Sequence, residues 1–115
     1  MTTAPAVQQL SPDLCVAPQL EPAAMAWAAQ QGFRSVINNR PDFEGGPEQP
    51  TSATMEAAAT AAGLAYAHLP VMPGFQSPEE IARFAALLAS MPKPILAFCR
   101  SGTRSGKLFL AATQA

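Results

Sequence analysis

Charge is scarce in this chain: Asp, Glu, Lys and Arg make up 13% of its 115 residues, against 49% hydrophobic residues. So little charge excludes a solvated, disordered polymer, and most of the chain is expected to pack. A net charge of −1 argues against a general nucleic-acid binder. No segment approaches the ~20 apolar residues of a membrane span. The stretch "MTTAPAVQQLSPD" has neither the basic residue nor the apolar run of a secretory signal. With only two cysteines, Cys15 and Cys99, and no export signal, reduced thiols in a soluble cytoplasmic protein are expected rather than a disulfide. Histidine occurs once, at His68, and aspartate only at Asp13 and Asp42. No set of His, Cys and carboxylates has metal-ligand spacing, so neither a metal nor a cofactor is implied. The length suits a single domain, residues 1–115, and leaves the oligomeric state open.

One absence is local. From Ile81 onward there is no acid, while Arg83, Lys93, Arg100, Arg104 and Lys107 give that end a charge of +5. Before it, eight acids face only Arg34 and Arg40, a net of −6. The basic end is the one that carries Cys99, and its field draws small anions.

What is present is an alternation of short apolar runs with alanine-rich helical stretches. Leu14 to Ala17 reads as a strand, and Pro22 opens a helix that stops at Gly32. "FRSVIN" (Phe33 to Asn38) is a second strand. After a Pro- and Gly-rich loop from Pro41 to Pro50, Thr51 or Ser52 caps a helix ending at Gly63. "LAYAHLPV" is the third strand. Ser77-Pro-Glu-Glu80 has the form of a capping box, and Ile81, Phe84, Leu87, Leu88 and Met91 mark one apolar face up to Pro92. "PILAFC" is a continuous apolar run, as a central strand covered on both faces requires. A last helix from Ser105 places Leu108, Ala111, Ala112 and Ala115 on one side. Four strand–helix units predict an α/β protein, a three-layer α/β/α arrangement around a four-stranded, mostly parallel sheet. In such folds the site forms at the carboxyl ends of the strands, here the loops beginning at Asn38, His68 and Cys99.

The loop "CRSGTRS" carries the chemistry. With Cys99 ending a buried strand and Ser105 opening a helix, the backbone N–H groups between them contain no proline and have no strand partner. Gly102 permits the positive φ that turns successive N–H groups inward as a nest. The helix N-terminus and Arg104 add positive charge. The centre of this loop therefore favours an anion, and a thiol there is expected well below its usual ~8.5, in the range of roughly 3.5–7.5. Cys99 is the candidate nucleophile and Arg104 the anion-binding cation. The Ser105 hydroxyl is placed to hydrogen-bond the sulfur and help it leave. Arg100, Ser101, Gly102 and Thr103 form the anion-binding rim, with the Arg100 side chain pointing outward. Cys15, with no charge near it, reads as core packing.

The loop resembles the active-site loop of rhodanese sulfurtransferases, in which four residues separate cysteine and arginine. Tyrosine and dual-specificity phosphatases have five, in the pattern Cys-x-x-Gly-x-x-Arg-Ser/Thr, one more than here. "GFRSVINNRPDFEGG", "AAGLAYAHLPV" and "PKPILAFCRSGTRS" together resemble the phosphatase-like domain family named after the beta-lactamase hydrolase-like protein, over about Leu10 to Ala112. That resemblance implies a fold like that of the dual-specificity cysteine phosphatases and an activity labelled either sulfur transfer or phosphatase.

Two features favour sulfur. A six-residue loop encloses a smaller cradle, better matched to a persulfide sulfur than to a phosphoryl group. Phosphatases of this fold supply an Asp as general acid from a loop after a preceding strand, and the matching stretch "PVMPGFQSPEE" has none. The expected function is thus a cysteine-dependent sulfurtransferase. It would take sulfane sulfur from a small anionic donor such as thiosulfate or a glutathione persulfide and pass it to a thiol or cyanide. The alternatives are a phosphatase acting on a phosphate ester through a phosphocysteine, and a non-catalytic redox or persulfide sensor or docking module. Asp42 would be the phosphatase's displaced general acid, or only a turn residue with a local hydrogen bond. Arg40 would bind the distal end of an anionic substrate, or lie in solvent. His68 would approach the cleft, or satisfy a backbone carbonyl.

Overall fold

The strands of this protein are four residues each, short enough that both ends of every strand feed directly into turns that shape the site. The structure, a computed structural model, describes residues 5–113. In chain order the elements are β1 (Gln8–Ser11), β2 (Leu14–Ala17), α1 (Ala24–Gln30), β3 (Ser35–Asn38), α2 (Ser52–Ala61), β4 (Ala65–His68), α3 (Pro78–Ser90), β5 (Ile95–Phe98) and α4 (Thr103–Thr113). The sheet order is β1-β2-β5-β3-β4. All pairings are parallel except β1 with β2.

Side-chain alternation along β5 separates the two cores. Ile95 and Ala97 pack with Phe84 of α3 and Leu108 of α4, while Leu96 and Phe98 pack with Met25 of α1 and Met55 of α2. Two helices therefore cover each face, and β5, buried at every position, lies in the middle of the sheet. This is the expected three-layer α/β/α arrangement, with one correction. The sheet has five strands, not four, because Gln8–Ser11 pairs antiparallel with β2 through a tight turn at Pro12-Asp13. "QQLS" has too few apolar residues and too short an alternation to register as a strand, and it forms because β2 offers it a free edge.

The helix signals behave as local chemistry dictates. Both glycine joints close Schellman motifs: Phe33 N–H bonds Ala28 O and Gly32 N–H bonds Ala29 O, while Leu64 and Gly63 repeat the pattern on Ala59 and Thr60. Ser77 and Glu80 form the reciprocal capping box at 3.1 and 2.8 Å, and Thr51 accepts from Thr54 N–H. α1 begins at Ala24, two residues later than Pro22 suggested, because Pro22 and Ala23 form a tighter turn, with Ala24 N–H on Glu21 O and Met25 N–H on Pro22 O. α4 begins at Thr103 rather than Ser105, its first turn closed by Gly106 N–H to Gly102 O. Ala115, expected on the apolar side of α4, lies outside the described residues. Among those residues no helix is long and apolar enough to cross a membrane.

Candidate active site

β3, β4 and β5 run parallel, so the loops after Asn38, His68 and Phe98 meet at one edge. Asn39 N–H bonds Phe98 O and Val71 N–H bonds Asn39 O, which ties the three together. Cys99, fully buried, follows β5 directly. Gly102 has φ +93, the left-handed conformation the nest needs, and its N–H donates to Cys99 Sγ at 3.0 Å. Burial raises the Cys99 pKa, but backbone N–H groups of Ser105, Ser101, Gly102 and Arg104 outweigh it, and the thiol is lowered from its ordinary 9.0. Gly102→Ala is expected to raise it again. The added methyl meets only ordinary contacts with Ala17, but holding an L-residue at this φ costs about 1–2 kcal/mol. The pH dependence of Cys99 alkylation measures the change.

Arg104 is buried, and its guanidinium grips Glu44 with both arms: Nη1 to Oε2 at 2.8 Å and Nη2 to Oε1 at 2.7 Å. Nη1 also donates to Val71 O at 2.9 Å, fixing the plane of the group. Arg40 donates from Nε to the same Glu44 Oε1 at 2.9 Å and from Nη1 to Gln19 at 3.1 Å. The loop carrying Glu44 is stapled by Gln49, which accepts from Gly45 N–H and donates to Pro41 O. A side chain at Gly45 would put its Cβ 2.7 Å from Arg40 Nη2, so it would have to displace the Arg40 guanidinium from its place on Glu44. Hydrogen bonding from Arg104 lowers the Glu44 pKa below 4.5, against the opposing effect of burial and with further help from Arg40. Because that pKa is depressed in the folded protein, the carboxylate stabilises the fold above pH 4.5, and the contribution is lost as pH falls through the lowered value. Glu44→Gln is expected to cost about 10- to 100-fold in kcat/KM by letting Arg104 drift. Its stability deficit, read by thermal unfolding, should be present at pH 7 and fade at acidic pH.

A cleft of about 380 Å³ opens over the loop, lined in part by Glu44, Arg100, Thr103, Arg104 and Lys107. Arg100 and Ser101 are exposed on the rim, as expected, and Ser101 Oγ donates to Thr103 Oγ1.

Two sequence expectations are corrected, at Ser105 and Arg40, and two open alternatives are resolved, at Asp42 and His68. The Ser105 hydroxyl does not meet the sulfur; it donates to Asn39 Oδ1 at 2.8 Å, and only the Ser105 backbone N–H faces Cys99. Asp42 turns away to accept from Ser52 N–H at 2.7 Å, the local role of a turn residue, because the start of α2 presents free N–H groups to it. Arg40 is neither solvated nor free for a distal anion, since Glu44 and Gln19 hold it. His68 Nε2 bonds Arg40 O at 2.9 Å, satisfying a backbone carbonyl. Glu44, Asn39, Gln49 and Gln19 were not legible beforehand. Each is a polar residue whose partner is decided by loop convergence, although a glutamate in "NNRPDFEGG" facing a basic carboxyl-terminal end was a usable signal. Cys15 packs on the α1/α2 face, where burial raises its thiol. Among the described residues no group of three or more His, Cys, Asp or Glu could hold a metal ion.

Comparison with known proteins bears on this geometry. The family model for the beta-lactamase hydrolase-like protein, phosphatase-like domain, matches residues 6–115. A curated beta-lactamase hydrolase-like protein from Xylella fastidiosa is 41% identical over 81 residues, 70% of this chain and 19% of that protein. The chain thus matches about a fifth of the length of that relative. The crystal structure of a proposed phosphatase from Neisseria meningitidis superposes with a TM-score of 0.82 at 33% identity, covering 89% of this chain and 72% of that one. Kinase associated phosphatase, crystallised with its catalytic cysteine replaced by serine, shares the fold alone. Its TM-score is 0.71 at 11% identity, with 100% of this chain and 79% of that one covered.

Proposed function

Because the chain belongs to the family of the beta-lactamase hydrolase-like protein, phosphatase-like domain, we propose that it is a cysteine-dependent phosphatase of small phosphate monoesters. The observation that carries this reading is the loop folded round the buried Cys99 sulfur, with Gly102 N–H donating to Sγ at 3.0 Å, beside an Arg104 whose plane is set by Glu44 and Val71. Such a bank of donors holds a thiolate when the cleft is empty and can re-aim onto phosphoryl oxygens as the sulfur attacks. The Cys99–phosphorus bond forms as the ester P–O bond breaks, and water then cleaves the phosphocysteine.

The departing oxygen lacks a positioned acid. Residues 69–77 contain no Asp or Glu, Asp42 is bound at Ser52, and Glu44 is held ionised by two arginines. The proton comes from solvent, so aryl phosphates are expected to turn over far faster than alkyl phosphates. The phosphatase names of the family and of the Neisseria chain support phosphorus over sulfur, against the ranking that loop length suggested.

Sulfur transfer stays as the second reading on one observation: the six-residue loop together with an acid-free cleft, which suits a leaving group such as sulfite or thiolate. The experiment that separates them incubates wild type and Cys99→Ser with an aryl phosphate and, in parallel, with thiosulfate followed by cyanide. Cys99-dependent phosphate release supports the proposal. A gain of one sulfur atom in intact mass, discharged as thiocyanate with no ester hydrolysis, replaces it.

A further inference from the structure

A second opening, of about 400 Å³, shares Ser101, Thr103 and Lys107 with the cleft over Cys99 but is otherwise built from other elements: β1, the end of β2 and α4. Its volume falls in the range of small-molecule sites, about 300–1,000 Å³. Leu10, Val16, Phe109 and Leu110 give it apolar walls. Val16 is buried, whereas Leu110, 55% exposed, leaves apolar surface in water.

Gly106 keeps the space open. It lies within α4 without the positive φ that favours glycine, at a place where alanine would suit the helix better. A Cβ added to it would meet nothing within 4 Å, so no neighbour demands its absence. The room that a side chain would take belongs to the opening, one helical turn from Leu110.

Charge there is of one sign. The lining contains no acid and one cation, Lys107, which is exposed and takes part in no ion pair among the described residues. One turn before it, Thr103 Oγ1 accepts from Ser101 Oγ at 3.0 Å, which leaves the Thr103 hydroxyl proton for another acceptor.

We propose that this opening is a binding site for a medium-chain amphipathic carboxylate, its chain between β1 and α4 and its head on Lys107 and the Thr103 hydroxyl. Complementarity selects the occupant. One cation and one hydroxyl match a monoanion, and the apolar walls match a hydrocarbon chain. A dianionic phosphate has more donors in the adjoining cleft, beside Arg104 and the backbone of the loop. The site is independent of the group that Cys99 attacks, and it stands whether that group is phosphorus or sulfur.

The test is calorimetric titration of the whole chain with hexanoate, octanoate and decanoate, each below its micelle concentration. Affinity is expected to rise about three- to fourfold per added methylene and to stop rising once the chain outgrows the opening. Lys107→Gln is expected to weaken octanoate binding about threefold to fivefold and to leave octanol binding unchanged, because octanol has no charge to lose. Gly106→Leu puts a side chain into the space and is expected to abolish binding of both, with an unfolding temperature no lower than that of wild type. Leu110→Glu, at an exposed position, serves where Gly106→Leu does not fold, and is expected to abolish octanoate binding. No binding at millimolar octanoate, affinity independent of chain length, or octanoate binding indifferent to Lys107→Gln or to Gly106→Leu overturns the proposal. A wild-type chain that sediments as a dimer and becomes a monomer in Gly106→Leu assigns the opening to a second copy and overturns it as well.

Discussion

Cys99→Ser is expected to lower kcat/KM for an aryl phosphate by at least about 10⁴-fold, the scale of removing a nucleophile that works as part of a unit. The cradle is matched to a thiol. Backbone donors lower the pKa of a group ordinarily at 9.0 and so favour its thiolate, whereas a serine hydroxyl in the same place stays protonated. Phosphate binding should survive or strengthen, because the substitution removes a negative charge from beneath the anion while leaving every N–H donor in place. Calorimetric titration with inorganic phosphate checks this, and loss of binding together with activity would place the anion elsewhere. Stability gives a second readout. The Cys99 pKa is depressed in the folded state, so the thiolate contributes stability fully above pH 9.0 and loses it as pH falls through the lowered value. The deficit of Cys99→Ser relative to wild type should therefore grow as pH rises toward 9.0 and then level off.

Arg104→Ala is expected to cost about 10³-fold in kcat/KM, at the lower end of what a transition-state arginine supplies in phosphoryl transfer. This residue does two things, and variants separate them. It neutralises charge in the cleft, and it partners Glu44, whose carboxylate would otherwise depend on Arg40 alone. Removing Arg104 leaves a partly exposed carboxylate with Arg40 as its one remaining partner, at a cost of about 1 kcal/mol or less. Arg104→Ala/Glu44→Gln should recover much of the lost stability and none of the activity. Arg104→Lys should recover charge but not the two-pronged grip on Glu44, leaving activity well below wild type. Recovery of activity in the double variant would show that Arg104 matters only for the fold.

The parts of this site that could be read in advance are those whose partners are near in the chain. Cys99, Gly102 and Arg104 lie within six residues, and the conformation that aims their N–H groups inward follows from one glycine and a helix start. The same holds for the Schellman joints at Gly32 and Gly63 and for the box of Ser77 and Glu80. Each is closed by hydrogen bonds spanning at most five residues.

Ser105 marks the limit. Its backbone N–H does what its place in the loop requires, but its side chain bonds Asn39, 66 positions away, and not the nearby sulfur that spacing suggested. Glu44 reaches Arg104 across 60 positions, and β1 exists only because β2 has a free edge. Asp42, Arg40 and His68 were polar residues near a strand end with no means of telling a cleft from a backbone partner. Local backbone geometry is set by a few torsions and therefore lies within reach of composition and spacing. The choice of a polar partner depends on which loops the parallel strands bring together, and burial then forces every donor and acceptor there to find its match.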